Sequence, residues 1–531
     1  MIRFFLSNEL TSQNKRYIIK MYKCVERGEK MYSVKPEMIK QADELANEKY
    51  GICASVLMTN ACLSVYEKIT PYIPKNKKIA VLCGKGNNAG DGYGVASLLY
   101  QNGYNVCAVR VFSCEPCSDE AKEKYKEFSL CGGKIIDIND FLPHIFSFGV
   151  FIDAVFGVGF CGSVESGSNL GQLFELCNIT DAFRIAIDTP SGIDSADGTV
   201  PGICFKAHLT ACIALYKTGL LSYPAREYAG KIVLCDIGFP KELAENLPKH
   251  ALIPDDEYLK EVIPKRHSNS HKGSYGKLLL FCASPSMTGA GYLSCMGALR
   301  SGCGLVNIAS DDYTISLLQQ KLNEPIFSRV DISSSNGLDN LVQLADSSSA
   351  VLCGCGLGNN ENTKKAVFRL IKNVDSPLLL DADGINVLCE NINILKEAKH
   401  TPIITPHPAE FARLIGKTTD EVQSDRINLA VNFAKEYGCI TVLKGASTVI
   451  ASPDGRFAVN IAGNAGLAKG GSGDVLAGIC AGLLCQCINA FDAAVAGVYL
   501  HAKAADILKE RIGEYGLLPS DIPLEAAKLL P

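Results

Sequence analysis

The string Lys469-Gly-Gly-Ser-Gly-Asp-Val-Leu-Ala-Gly478 sets consecutive glycines ahead of a carboxylate that opens an apolar stretch. Glycines let backbone amides come close to an anion, and a helix start adds a favourable dipole. The amides of Gly471 to Gly473 can form a hole for a transferring phosphoryl group, with Asp474 beside it to take the proton of an attacking hydroxyl. As a purely structural residue, Asp474 would cap the helix; the glycine cluster favours the catalytic role. A second glycine-rich turn, Gly84-Lys-Gly-Asn-Asn-Ala-Gly-Asp-Gly92, has neither the Walker spacing nor the dinucleotide fingerprint. Its Asn87, Asn88 and Asp91 offer oxygens to a ribose or a monovalent cation. Asp153-Ala-Val-Phe-Gly-Val-Gly159 and Asp188-Thr-Pro-Ser-Gly-Ile-Asp194 end two more strands in carboxylates. Any one of these three suits an ordinary capped turn. Three of them at the carboxyl edge of one parallel sheet, where ligands gather, point to a small-molecule site.

The elements that must hold these residues follow an α/β rhythm, in which short β-branched runs alternate with amphipathic stretches. Lys78 to Cys83 reads as a buried strand, followed by a helix that stops near Gly103. Strands are expected at 105–111, 148–155 and 184–188, with a helix capped by Ser118 running to about Cys131. Prolines 240, 248, 254 and 264 interrupt the rhythm, which places a domain boundary near residue 250. The rhythm restarts with a strand from Lys277 to Cys282, and later strands end at Cys353, Asp381, Thr405 and Lys444. The apolar stretch from Val475 to Leu500 is broken by Gln486, Asn489 and Asp492. It lacks the ~18 uninterrupted apolar residues of a membrane span and reads as two buried helices.

Of the 531 residues, 47% are hydrophobic and 20% charged, and the net charge is -4. These values suit a soluble protein and give no sign of a nucleic-acid or membrane partner. The 23 cysteines are scattered through apolar runs, which fits a reducing, cytoplasmic setting better than a disulfide framework. Cys114 and Cys117 form a CxxC without a second pair, and His267 and His271 lie in a loop-like stretch. Neither pair reads as a metal site. The first thirty residues show no secretory signal, and Met31 opens the more regular pattern.

Over residues 31–245 the motifs at Asn87 to Asp91, Phe156 to Gly159, Asp188 to Asp194 and Lys217-Thr-Gly-Leu resemble the NAD(P)H-hydrate epimerase domain, in that order. The resemblance implies a Rossmann-like, three-layer α/β/α fold. Asn87, Asn88, Ala89, Gly90 and Asp91 would bind the hydrated nicotinamide nucleotide, with Gly157, Val158, Gly159, Phe160, Cys161, Gly162 and Ser163. Asn88, Asp153 and Ser191 would ligate potassium, and Asp188 would act on the hydrated ring as acid and base. Ala89 and Val158 depart from the family's glycine and threonine.

Over 255–531 the glycine-rich turn and following Asp resemble the ribokinase-like fold, again three α/β/α layers. One branch is closer. His271 to Lys277, Met287 to Ala290, Gly354 to Gly358, Asp381 to Gly384, Thr405 to Glu410 and Val442 to Thr448 resemble the NAD(P)H-hydrate dehydratase domain. By that resemblance Lys444, Gly445, Ala446, Ser447, Thr448 and Gly473 would contact ADP or ATP, with magnesium on its phosphates. Ala290, Gly356, His407 and Asp474 would contact the hydrated cofactor, and Asp474 would be the base. Cys355 replaces the family's proline, and Cys282-Ala-Ser its Gly-Gly-Ser. The expected reaction is repair of hydrated NADH and NADPH: the first domain interconverts the R and S hydrates and the second dehydrates the S form, giving AMP and phosphate if ADP is the donor. A homo-oligomer is the expected assembly. The competing readings are a kinase for a vitamin precursor such as hydroxymethylpyrimidine or hydroxyethylthiazole, and a first domain that binds without catalysing.

Overall fold

A strand made almost wholly of apolar residues is stable only when both of its faces are covered, and the strands of both halves have that character. The computed structural model describes residues 31–531, so the expectation about a secretory signal lies outside the described residues. The chain forms two compact units, 32–250 and 251–531.

The first unit contains β1 (Met31–Val34), β2 (Lys78–Cys83), β3 (Asn105–Arg110), β4 (Lys134–Asp137), β5 (Val150–Ala154), β6 (Phe183–Ile187), β7 (Leu209–Ile213), β8 (Tyr216–Lys217) and β9 (Lys231–Cys235). Seven of them form one sheet in the order β4-β3-β2-β5-β6-β7-β9, parallel throughout. Along β2, Ile79, Val81 and Cys83 enter one apolar core while Ala80 and Leu82 enter another. Side chains alternate along a strand, so this split gives two buried faces and hence three layers. β1 and β8 pair separately, in parallel, through Ser33 and Val34. Gly84 closes the turn after β2, where an added Cβ would lie 2.0 Å from Val155 O. Helix Asn87–Gln101 follows at once, and Ser118 caps helix Asp119–Leu130 by accepting from Ala121 N.

The second unit contains β10 (Leu252–Ile253), β11 (Lys277–Phe281), β12 (Leu305–Ser310), β13 (Ile326–Arg329), β14 (Ala350–Cys353), β15 (Leu378–Leu380), β16 (Ile403–Ile404), β17 (Ile440–Leu443), β18 (Thr448–Ala451) and β19 (Phe457–Asn460). They run in the order β13-β12-β11-β14-β15-β16-β17-β18-β19-β10. Only the pairings of β18 with β17 and with β19 are antiparallel. The stretch from Val475 onward forms the end of helix Ser472–Leu484 and the start of helix Ala490–Gly516. Among the described residues no helix is long and apolar enough to cross a membrane.

Helices Thr288–Arg300 and Ser472–Leu484 meet backbone to backbone along a seam of small residues. A Cβ at Gly297 would fall 2.6 Å from Val475 O, and one at Gly478 would fall 2.1 Å from Ser294 O. Both neighbours are backbone and cannot step aside. Gly478→Ala should therefore destabilise the second unit by about 2–3 kcal/mol. Denaturant unfolding of wild type and variant checks this, and an unchanged midpoint would show that the seam is looser than its geometry implies.

Candidate active sites at the strand ends

In the first unit, β2, β5 and β6 deliver their last polar residues to one edge. Asp153, inside the last turn of β5, is wholly buried. Its Oδ1 accepts from Val155 N (3.1 Å) and Ser191 Oγ (2.7 Å), and its Oδ2 accepts from Ser191 N (2.8 Å). Burial pushes the Asp153 carboxyl up to about 6 against these bonds. Ser191 Oγ also accepts from Phe156 N at 2.9 Å. Asn88 donates to Phe156 O (2.7 Å) and Ile187 O (3.2 Å). Its Oδ1 is buried without a partner among the described residues. A buried amide oxygen left unpaired is costly, and one beside a carboxylate and a hydroxyl suits a hard monovalent cation. The residues present thus fit potassium.

Asp188 follows β6 with φ 67, a left-handed backbone that aspartate tolerates better than most residues. Its Oδ2 accepts from Val158 N (3.3 Å) and its Oδ1 from Ile213 N (3.3 Å) and from Lys217 Nζ in a short ion pair. Lys217 Nζ also donates to Ile213 O at 2.6 Å. The Lys217 side chain is 1% exposed. Burial opposes its charge, but Asp188 outweighs that and leaves the ammonium pKa raised. Two further carboxyls share this lysine. Asp91 is pushed well above the usual range, first by burial and then by the charges of Asp188 and Asp43. Asp43, on helix Pro36–Tyr50, keeps solvent contact and is still pushed up to about 6, mainly by desolvation.

The expected substrate residues divide in two. Gly157 and Val158 lie against Asp188 and Asn88: a Cβ at Gly157 would be 3.2 Å from Asp188 Oδ2. Gly159, Cys161, Gly162 and Ser163 are exposed further along the same loop, with Phe160 half-buried. Asn87 is exposed at the helix start, whereas the Ala89 side chain is in the apolar core. Gly90 faces Met58 and Ala121. These two can meet a ligand only through backbone.

In the second unit the edge is built around Asp381, which follows β15 and is 2% exposed. Its Oδ1 accepts from Thr405 Oγ1 (2.7 Å) and Lys444 Nζ (2.8 Å). Burial works against the Lys444 charge, but Asp381 and Glu410 more than compensate, so its pKa is raised. Helix Ser472–Leu484 is capped by Gly471 at φ 96, and Asp474 is its third residue. Asp474 is therefore not the cap but an acidic residue of the first turn, where it also meets the helix dipole favourably. Burial, then the charge of Asp381, pushes its carboxyl up to about 6, while Cys355 and Lys444 pull it back. A Cβ at Gly473 would touch Lys444 Nζ at 3.3 Å and approach Asp381 Oδ2 at 3.9 Å. The turn, the lysine and both carboxylates thus share one small volume.

Cys355 Sγ and one oxygen each of Asp381 and Asp474 lie within 4.8 Å of one another. A thiol is a poor ligand for magnesium, and Lys444 already balances Asp381, so these groups do not form a dedicated magnesium cage. Gly356 has φ 66, and a Cβ there would be 2.7 Å from Ala290 Cβ, which brings two expected substrate residues together. His407 caps helix Pro408–Ile415: its Nδ1 accepts from Ala409 N (3.1 Å) and Glu410 N (3.2 Å), and Glu410 Oε2 accepts from His407 N (2.8 Å). Burial lowers the His407 pKa, which keeps the ring neutral for this role. In the 444–448 loop, Gly445 and Ala446 are exposed and Ser447 is held at φ 55 with its buried Oγ unpartnered. Thr448 Oγ1 closes the loop on Gly445 O at 2.8 Å, and Arg426 holds it from behind through Leu443 O and Lys444 O.

Sequence reasoning left Lys217, Asp43, Asp381 and Cys355 without roles, although all but Asp43 lie in or beside quoted motifs. It also missed His501, whose Nε2 meets Ser472 Oγ at 3.3 Å and whose pKa falls to about 4 through burial. Cys114 and Cys117 are exposed, and neither they nor His267 and His271 fall in a possible metal cluster among the described residues.

Two family models match the chain: one described as NAD(P)H-hydrate dehydratase over residues 278–526, the other as YjeF-related protein N-terminus over residues 54–219. A bifunctional NAD(P)H-hydrate repair enzyme of Moorella thermoacetica is 33% identical over 506 residues, covering 93% of this chain and 95% of its own. One from Escherichia coli is 33% identical over 484 residues, covering 91% of each. Among solved structures, an ADP/ATP-dependent NAD(P)H-hydrate dehydratase from Bacillus subtilis, co-crystallized with ATP and Mg2+, is 33% identical. It covers 52% of this chain and 96% of its own, with a TM-score of 0.46.

Removing either member of the Asp188–Lys217 pair leaves a buried charge without its partner. Asp188→Asn or Lys217→Met alone should cost about 3–5 kcal/mol, and the double variant clearly less than the sum. A double-mutant cycle by denaturant unfolding checks this; additive losses would mean that the two side chains do not act as a pair.

Proposed function

The chain belongs to the bifunctional NAD(P)H-hydrate repair enzymes, and from that premise we propose how each unit carries its half of the repair. The unit of residues 32–250 interconverts the R and S hydrates of NADH and NADPH. The unit of 251–531 dehydrates the S hydrate with ADP or ATP as phosphoryl donor.

Epimerisation at the hydroxyl-bearing carbon requires the ring to open or the hydroxyl to leave and return, and either route moves a proton. Asp188 is the group that moves it. Its charge is held by Lys217, and the amide of Val158 fixes its other oxygen toward the loop that receives the substrate. Asp91, raised by burial and by the charges of Asp188 and Asp43, lies close enough to feel the Asp188 charge. Asn88, Asp153 and Ser191 would hold potassium, which would supply a fixed positive charge for the substrate's anionic groups.

In the second unit, the observation that carries the reading is the packing of Gly473, Lys444, Asp381 and Asp474 into one volume. Hydroxide is a poor leaving group and phosphate a good one. The ring hydroxyl loses its proton to Asp474 as its oxygen attacks the terminal phosphorus of the nucleotide. The glycine-turn amides and Lys444 balance the charge that develops. The carbon–oxygen bond then breaks with phosphate departing, and the neighbouring ring carbon gives up a proton as the double bond of the reduced nicotinamide re-forms; with ADP the other product is AMP. Ala290, Gly356 and His407 line the side that takes the hydrated ring. Lys444 to Thr448 take the nucleotide, whose phosphates would carry magnesium.

A base with a pKa near 6 fixes the sign of the pH profile. Below pH 6 Asp474 holds a proton and cannot accept another. kcat/KM for dehydration should therefore rise about tenfold per pH unit up to about 6 and level off above it. Asp474→Asn should lower the rate about 10²–10⁴-fold and remove the dependence. A variant with the wild-type profile would mean that the base lies elsewhere. Asp188→Asn should abolish interconversion of the hydrates while dehydration of pure S hydrate continues. Loss of both activities together would contradict the assignment of one carboxylate to each unit.

A further inference from the structure

Two thiols of the second unit lie closer together than unbonded sulfurs usually do. Cys303 follows helix Thr288–Arg300, and Cys485 caps the C-terminal end of helix Ser472–Leu484. Their sulfurs are 3.2 Å apart across a sequence separation of 182 residues. A disulfide bond is about 2.05 Å long, so only a small approach separates the pair from bonding.

The two sulfurs are not equivalent. Cys485 donates its S–H to Cys303 and has further contacts with the carbonyls of Tyr275 and Gly482. Cys303 receives that hydrogen bond, and Arg266 lies over the Tyr275 ring at 4.0 Å while donating to Gly302 O, the residue before Cys303. The hydrogen bond from Cys485 lowers the Cys303 pKa against the opposing effect of burial, helped by backbone bonds at Leu305 and Leu278 and least by Arg266; the same Cys485 bond raises the pKa of Cys485. Cys303 is 8% exposed and Cys485 fully buried, so the sulfur that favours the thiolate is also the one nearer to solvent. A lowered pKa and a resolving thiol in contact are the two features that make a cysteine oxidisable in a controlled way.

We propose that Cys303 and Cys485 are a redox modification site, at which a small peroxide makes a reversible disulfide that staples the two helices at the end opposite the catalytic turn. In the first step the Cys303 thiolate attacks one oxygen of hydrogen peroxide, the O–O bond breaks and hydroxide leaves, giving the sulfenic acid. In the second, Cys485 sulfur attacks Cys303 sulfur. The S–O bond breaks, and the departing oxygen leaves as water with the proton of the Cys485 thiol. The two sulfurs together lose two electrons and the peroxide gains them.

The seam between these helices is already fixed by the close approaches at Gly297 and Gly478. The helices carry Ala290 and Asp474 near their N-terminal ends, roughly three turns or more from the thiols. The staple therefore stabilises the unit and leaves the catalytic turn in place.

The test uses the full chain, reduced, exposed to a small excess of hydrogen peroxide, alkylated, digested and read by tandem mass spectrometry. The expected result is a peptide pair joined between Cys303 and Cys485, with Cys480 and Cys487 of the same peptide unlinked, and released by dithiothreitol. In Cys485→Ser the sulfenic acid at Cys303 should be trapped by dimedone. Oxidised wild type should melt roughly 5–10 °C higher than reduced, with no such gain in Cys303→Ser. Complete alkylation of both thiols after peroxide, or a link from either to another cysteine instead, would overturn the site. A linked protein that melts no higher than the reduced one would overturn the staple.

Discussion

Burying an ammonium beside a carboxylate removes both from water, at a cost on the order of several kcal/mol per ion before their attraction returns any of it. Each unit of this chain does so at the carboxyl edge of its main sheet. In the first, Lys217 reaches Asp188 after β6; in the second, Lys444 reaches Asp381 after β15. Such a pair is tolerable only where every remaining lone pair and proton is occupied. The surrounding backbone is shaped to that end: Asp188 and Ala382 take left-handed conformations, Val158 and Ile213 donate amides, and Thr405 donates its hydroxyl. The glycine turns, the strand ends and the loops that receive substrate are all arranged around these two charge pairs.

From this common device the units diverge in what the lysine does next. Lys217 is shut away, with its charge spent on Asp188 and a carbonyl. It is enclosed in the pair with Asp188 and out of reach of solvent. Lys444 is less enclosed, 18% exposed, and stands beside Gly473 at the mouth of the glycine turn. There it can serve an incoming phosphate as well as Asp381. The carboxylate proposed to do the chemistry also differs. Asp188 is itself the paired group, whereas Asp474 is a second carboxylate raised by burial and by its neighbour Asp381. One epimer-selective dehydration clears both hydrates only when an epimerase supplies it, which gives the fusion its chemical logic.

Much of the architecture was legible because it is local. The strand from Lys78 to Cys83, the Ser118 cap and the two helices after Gly471 each follow from residues within a few positions of one another. The glycine turn that opens helix Ser472–Leu484 was legible for the same reason. Partnerships across the chain were not. Lys217 lies 29 residues from Asp188 and in a two-residue strand. Lys444 lies 63 from Asp381, and Cys303 lies 182 from Cys485. No periodicity marks such pairs; only the order of strands brings them together. Side-chain direction was not legible either: Ala89 belongs to the motif by position, but the helix turns its side chain into the core and leaves only its backbone for a ligand.

The central claim is that one chain carries both halves of the repair, each at its own strand-end site. It is tested most directly by giving the purified full-length protein an equal mixture of the R and S hydrates of NADPH, with ADP and magnesium or without nucleotide. The account predicts that both hydrates are consumed to NADPH when nucleotide is present, and that neither is dehydrated without it. Consumption of the S hydrate alone, with the R hydrate left at its starting level, would contradict it.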